Sequence, residues 1–78
     1  MTNLEKYEKA FIDTFTVSND ELAGLKYQDV PGWDSVGHME LISVLEEALG
    51  IMFETDDIID LSSFEKGKEI LKKYNVEL

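Results

Sequence analysis

The sequence predicts an all-α protein: a small four-helix bundle, three longer helices plus one short helix, with a long loop between the first and second helices. Three observations predict it. Apolar residues recur at helical spacing in three separate windows. Glycine, proline and helix-capping residues punctuate the stretches between those windows. No stretch alternates apolar and polar residues as a half-buried strand would. The 78 residues are expected to form one domain, 1–78, with one small core and a thin stability margin. A 44% hydrophobic composition separates the chain from disordered sequences.

The first helix is expected from about Asn3 to Thr16. Thr2 and Glu5 have the spacing of a capping box. Leu4, Tyr7, Phe11 and Phe15, with Ile12 beside them, make its apolar face. The segment "SNDELAGLKYQDVPGW", residues 18–33, follows as the long loop. Ser18 and Glu21 can cap a short turn, and Pro31 disfavours helix at Val30. A loop this long in a small domain needs anchors, and Leu22, Leu25, Tyr27 and Val30 supply them.

The second helix is expected from Ser35 to Leu49, closed by Gly50. Leu41, Ile42, Val44, Leu45, Ala48 and Leu49 gather on one side of its wheel, and Glu40, Ser43, Glu46 and Glu47 on the other. Val36 and Met39 fall among the acids, on the side of Ser35. Apolar residues stranded on an acidic face indicate a contact surface. Next, Ile51 and Phe53 read as buried. A short helical turn follows, with Thr55 as its cap and Ile58, Ile59 and Leu61 pointing inward. The last helix runs from about Ser63 to Tyr74, opened by a Ser62–Glu65 capping box. Phe64, Gly67, Ile70, Leu71 and Tyr74 share its inner face. Gly67 costs helix propensity there and permits close approach of a neighbouring helix.

Charge narrows the function. Net charge is −10, with 17 acids against 7 lysines and no arginine. A nucleic-acid binder needs the opposite sign. An acidic membrane surface would repel this chain, so its expected partners are basic protein surfaces. Residues 34–60 contain eight acids and no lysine, whereas Lys66, Lys68, Lys72 and Lys73 cluster near the C-terminus. The absence of cysteine excludes a disulfide scaffold and a cysteine-based zinc site. The N-terminal stretch lacks the apolar segment of a signal peptide, and no run approaches a membrane span. A cytoplasmic protein without membrane insertion is expected.

Candidate chemistry centres on Ser35. Asp34, Ser35 and His38 look like hydrolase triad members. The nucleophile elbow, however, needs glycine two residues either side of the serine, and Trp33 fails where Gly37 fits. Residues so close on one helix also make a poor relay. No catalytic residue is therefore assigned. Asp56, Asp57 and Asp60 lack calcium-loop spacing, and His38 is a lone histidine, so no metal site is assigned either. From its helical context alone, Ser35 is an N-cap, or a first-turn residue behind an Asp34 cap.

The stretch "GWDSVGHMELISVLEEALGI" adds to that reading. Asp34-Ser35-Val36, Glu40-Leu41, Leu45-Glu46-Glu47 and Gly50 fall in one order along the second helix. This pattern resembles the core motif of acyl carrier proteins and the related peptidyl carrier domains. Chain length, acidity and helix order extend the resemblance along the whole chain. It implies a non-enzymatic carrier with 4′-phosphopantetheine on Ser35, transferred from coenzyme A by a phosphopantetheinyl transferase. Acyl groups would ride on that arm as thioesters to acyl-loading and acyl-transferring enzymes with basic surfaces. The partner-facing residues would be Asp34, Val36, Met39, Glu40, Glu46, Glu47, Asp56 and Asp57, on a monomer. A phosphodiester is an anion, and a helix N-terminus offers it free N–H groups and positive dipole potential. Val36 stands where the family has leucine, and Gly37-His38-Met39 replaces a more acidic run. Trp33 precedes the aspartate, and Gly67 interrupts the last helix. These departures point to a free-standing carrier of a specialised biosynthetic pathway rather than to fatty acid synthesis. An aminoacyl or peptidyl carrier, and an unmodified acidic protein-binding adaptor, are the alternatives.

Overall fold

Thr2 starts the first helix. Its hydroxyl accepts from the Glu5 amide at 3.1 Å, and the Glu5 carboxylate accepts from the Thr2 amide at 2.8 Å. This reciprocal pair satisfies two backbone donors that a helix N-terminus leaves open. The computed structural model, which describes residues 1–78, has the helices α1 (Asn3–Phe15), α2 (Ser35–Leu49), α3 (Thr55–Asp60) and α4 (Phe64–Lys72). A single 3₁₀ turn, Asn19–Glu21, lies in the long loop after α1, where Ser18 donates to the Glu21 carboxylate through both its amide and its hydroxyl. The predicted small all-α bundle is the observed architecture. Its three longer helices and one short helix surround one core.

That core is built on aromatic rings. Tyr7, Phe11 and Phe15, spaced four apart on α1, face Trp33 and Phe64. Phe11 stands edge-on to four of them, with centroids 4.9–6.0 Å apart. Such offset geometry suits the ring quadrupoles and adds to the burial of large apolar area. Leu41, Ile42 and Leu45 of α2, and Ile70 and Leu71 of α4, close the core from the other sides.

The long loop is anchored as expected. Leu22 and Leu25 are buried, and Tyr27 and Val30 half-buried. The loop also pairs with the chain leading into α4. The Tyr27 amide donates to the Ser62 carbonyl at 2.8 Å, and the Phe64 amide to the Leu25 carbonyl at 2.9 Å. This antiparallel bridge corrects the expected start of α4. The bridge pairs Ser63 with Lys26 and holds it extended, and Ser63 is the cap, accepting from the Lys66 amide at 2.9 Å. The Ser62–Glu65 box does not form.

Two further corrections concern α2 and α3. Val44, placed by its wheel position on the buried arc, is exposed, at the edge of an open hollow that it shares with Lys6, Lys9, Ala10 and Asp13 of α1. In α3, the residue before the helix is Glu54, not Thr55, and it makes no side-chain cap. Ile58 and Leu61 point inward as expected, but Ile59 is 72% exposed. Asp57 takes an inward place instead.

Asp57 is 3% exposed and holds α3 against the end of α4. Its carboxylate accepts from Lys73 Nζ and from the Tyr74 hydroxyl, both at 2.6 Å. Tyr74 Oη in turn accepts from the Glu54 amide at 2.8 Å. The Lys73 ammonium, and then the Tyr74 hydroxyl, hold the Asp57 carboxyl below the usual carboxylate range. A carboxyl that titrates lower folded than unfolded contributes its full stability above the ordinary range and loses it as pH falls through the folded value, here below about pH 4. The gap in unfolding free energy between wild type and Asp57→Asn is therefore expected to shrink between about pH 6 and about pH 2 in urea titrations. A gap that stays constant across that range would contradict this linkage.

Candidate functional site

The site is the N-terminal end of α2 and the surface beside it. Asp34 caps the helix. Its carboxylate accepts from the Gly37 amide at 2.8 Å, and its carbonyl accepts from the His38 amide at 2.8 Å. The amides of Ser35 and Val36, in the first turn, donate to no group of the chain. Together with the helix dipole they contribute positive potential at this helix end, beside the negative Asp34 carboxylate.

The long loop approaches this helix end closely. A Cβ on Gly37 would collide with the Gly32 carbonyl oxygen, so the residue at 37 must be small for the loop to pass. The loop then delivers Trp33 into the core, 0% exposed, immediately before the cap. Trp33 stacks on Phe15 with centroids 4.9 Å apart and planes at 17°. Its indole Nε1–H donates to His38 Nδ1 at 3.0 Å. Indole nitrogen can only donate. His38 therefore carries its proton on Nε2, which donates to the Ile58 carbonyl at 2.7 Å. One imidazole thus joins the loop, the first turn of α2 and the backbone of α3.

Ser35 is exposed. Its Oγ lies 3.2 Å from the hydroxyl of Tyr27, a loop residue. Beside it runs an open groove of about 340 Å³, lined by Tyr27, His38, Met39, Ile58, Ile59 and Leu61 among others. Around this groove the surface is apolar. Val36 is 70% and Met39 52% exposed, and Ile59 faces outward across from them. Glu40, Glu47, Asp56 and Asp60 are exposed on the same two helices.

The eight residues expected to face partners divide. Val36, Met39, Glu40, Glu47 and Asp56 lie in the open, as does Asp34 despite its capping role. Glu46 is half-buried, and its carboxylate accepts from the Phe53 amide at 2.9 Å, which pins the turn after α2. Asp57 is turned inward onto Lys73 and Tyr74 and offers no outward charge. Two residues join the site that the sequence pattern assigns to other places, Tyr27 to anchoring the loop and Ile59 to the core. Tyr27 reaches Ser35 from eight positions away, and no loop periodicity announces it. Ile59 leaves the core because Asp57 enters it.

No three of the histidine and carboxylate side chains converge as a metal-binding group would require. No helix is long and apolar enough to cross a membrane. In comparisons with known proteins, no family model, no curated protein and no solved structure matches this chain.

Proposed function

We propose that this chain is an acyl carrier protein. Ser35 Oγ bears 4′-phosphopantetheine, and the surface around it presents acyl thioesters to partner enzymes of a specialised biosynthetic pathway. The observation that carries the reading is the exposed Ser35 hydroxyl on the first turn of a capped helix. A transferase needs to reach that oxygen, and Ser35 is exposed, with the Tyr27 hydroxyl as its one side-chain partner. The surroundings fit the group. A phosphodiester on Ser35 would meet the open amides of Ser35 and Val36 and the Tyr27 hydroxyl. Asp34, whose charge would repel it, has one oxygen engaged by the Gly37 amide.

Loading breaks the Ser35 O–H bond and forms an O–P bond to the pantetheine-side phosphorus of the coenzyme A diphosphate. Adenosine 3′,5′-bisphosphate leaves, and the proton passes to a base of the transferase. When bound, the group supplies a terminal thiol for thioester formation, in a chain that has no cysteine of its own. Partner recognition falls to Val36, Met39 and Ile59 as the apolar centre. Glu40, Glu47 and Asp56 form an acidic rim that steers basic surfaces toward it. Aminoacyl or peptidyl cargo is the nearest variant of this reading.

The exposed apolar patch in an acidic rim also suits an unmodified adaptor for a basic protein. One experiment separates the two. The chain is incubated with coenzyme A and a broad-specificity phosphopantetheinyl transferase, and its intact mass is measured. Wild type is expected to gain one 4′-phosphopantetheine and Ser35→Ala none. A wild-type mass that does not change favours the adaptor.

A further inference from the structure

Few groups near Ser35 can hold an anion. The chain has no arginine, and residues 34–60 contain no lysine. The carboxylate next to Ser35 in the chain, Asp34, is of the wrong sign. The side-chain donor already within reach is the Tyr27 hydroxyl, 3.2 Å from Ser35 Oγ.

Tyr27 is held for this position. Its amide donates to the Ser62 carbonyl at 2.8 Å. Its ring stands edge-on to Trp33 and to His38, with centroids 6.3 and 5.8 Å away. The ring is half-buried, and within the chain its hydroxyl bonds only to Ser35. The phenol is thus fixed by its loop and neighbours, while its O–H is available at the mouth of the groove.

Esterifying Ser35 changes what that O–H meets. The serine hydrogen is gone, so Ser35 can no longer donate. Two non-bridging phosphate oxygens, sharing one negative charge, would stand two bonds beyond Oγ, on the phosphorus. A hydrogen bond to an ionised acceptor is shorter and stronger than one between neutral hydroxyls. We propose that Tyr27 is the positioning residue for the tether: its hydroxyl exchanges the Ser35 hydroxyl for the phosphodiester and fixes the direction in which the arm leaves α2. The inference rests on the reading of Ser35 as the attachment point.

The test is spectroscopic and needs no partner enzyme. Wild type is labelled with ¹³Cζ-tyrosine and compared before and after modification. The Tyr27 resonance is expected to shift, while those of Tyr7 and Tyr74, bonded to Phe64 and Asp57, stay in place. In parallel, the ³¹P resonance of modified wild type is compared with that of modified Tyr27→Phe, which keeps the ring and loses only the exposed hydroxyl. Tyr27→Phe is expected to return the ³¹P shift toward that of free phosphopantetheine and to leave the circular dichroism melt of the unmodified chain unchanged. An unmoved Tyr27 ¹³Cζ signal, or identical ³¹P shifts in the two modified proteins, overturns the role of Tyr27 while leaving Ser35 attachment intact. A wild type that takes up no phosphopantetheine overturns both.

Discussion

Trp33→Ala is expected to lower the folding free energy by about 3–5 kcal/mol, the usual cost of truncating a buried aromatic to alanine. The loss is severe for so small a chain. At roughly 0.05–0.15 kcal/mol per residue, the 78 residues have about 4–12 kcal/mol in total. The indole sits where three structural tasks meet. It stacks on Phe15, lies edge-on to Phe11 at 5.6 Å, and donates to His38. Its removal opens a cavity beside α1 and leaves His38 Nδ1 without a donor. It also frees the loop that delivers Asp34 and Ser35, so the loss reaches the site as well as the core. Trp33→Phe separates these effects. It keeps a ring against Phe15 and removes the indole bond, at an expected cost of about 1–3 kcal/mol. Urea titrations followed by far-ultraviolet circular dichroism are the suitable measurement, because Trp33 is the chain's one tryptophan and its fluorescence disappears with it. A loss below about 1 kcal/mol in Trp33→Ala would mean that the ring is not part of the cooperative core.

How far the site could be read in advance depended on the range of the interactions that set it. α2 was legible at both ends. Asp34 accepts from an amide three residues on, and Gly50 adopts φ 67°, the left-handed conformation that ends helices. Such signals lie within one turn of the residues they fix. The Thr2–Glu5 box was legible for the same reason. α3 was not. Six residues make fewer than two turns, so periodicity cannot assign its faces. Which residue turned inward was decided by Lys73 and Tyr74, 16 and 17 positions away. Ile59 was displaced outward as a consequence, and the apolar patch beside Ser35 gained a member that the sequence had assigned to the core. Ser63 replaced Ser62 as a cap through a similar long-range cause, the bridge to residues 25–27. The Tyr27–Ser35 contact depends on that same bridge, since it fixes the loop that carries the phenol.

Gly67 carries the second large prediction. The sequence marked this glycine as a propensity cost that a close neighbour would explain. The neighbour is Tyr7 of α1. A Cβ on Gly67 would collide with the Tyr7 hydroxyl and lie 3.1 Å from its Cζ. Tyr7 cannot swing aside. Its ring is fully buried between Phe11 and Phe64, and its hydroxyl donates to the Phe64 carbonyl at 2.7 Å. Burial also pushes its phenol well above the usual range, which keeps it a donor. Two effects of Gly67→Ala oppose each other. Alanine favours the helix by about 1 kcal/mol over glycine. Overpacking costs about 1–3 kcal/mol, and a displaced Tyr7 hydroxyl adds about 1–3 kcal/mol for an unsatisfied buried group. The clash wins, and a net loss of about 1–5 kcal/mol is expected. Tyr7→Phe alone loses the bond to Phe64, at about 1–2 kcal/mol, but removes the colliding oxygen. The double variant should therefore be more stable than the sum of the two losses implies, with a coupling of at least about 1 kcal/mol. Strict additivity would place the two residues out of contact, and with them the packing of α1 on α4 that closes the core behind Trp33.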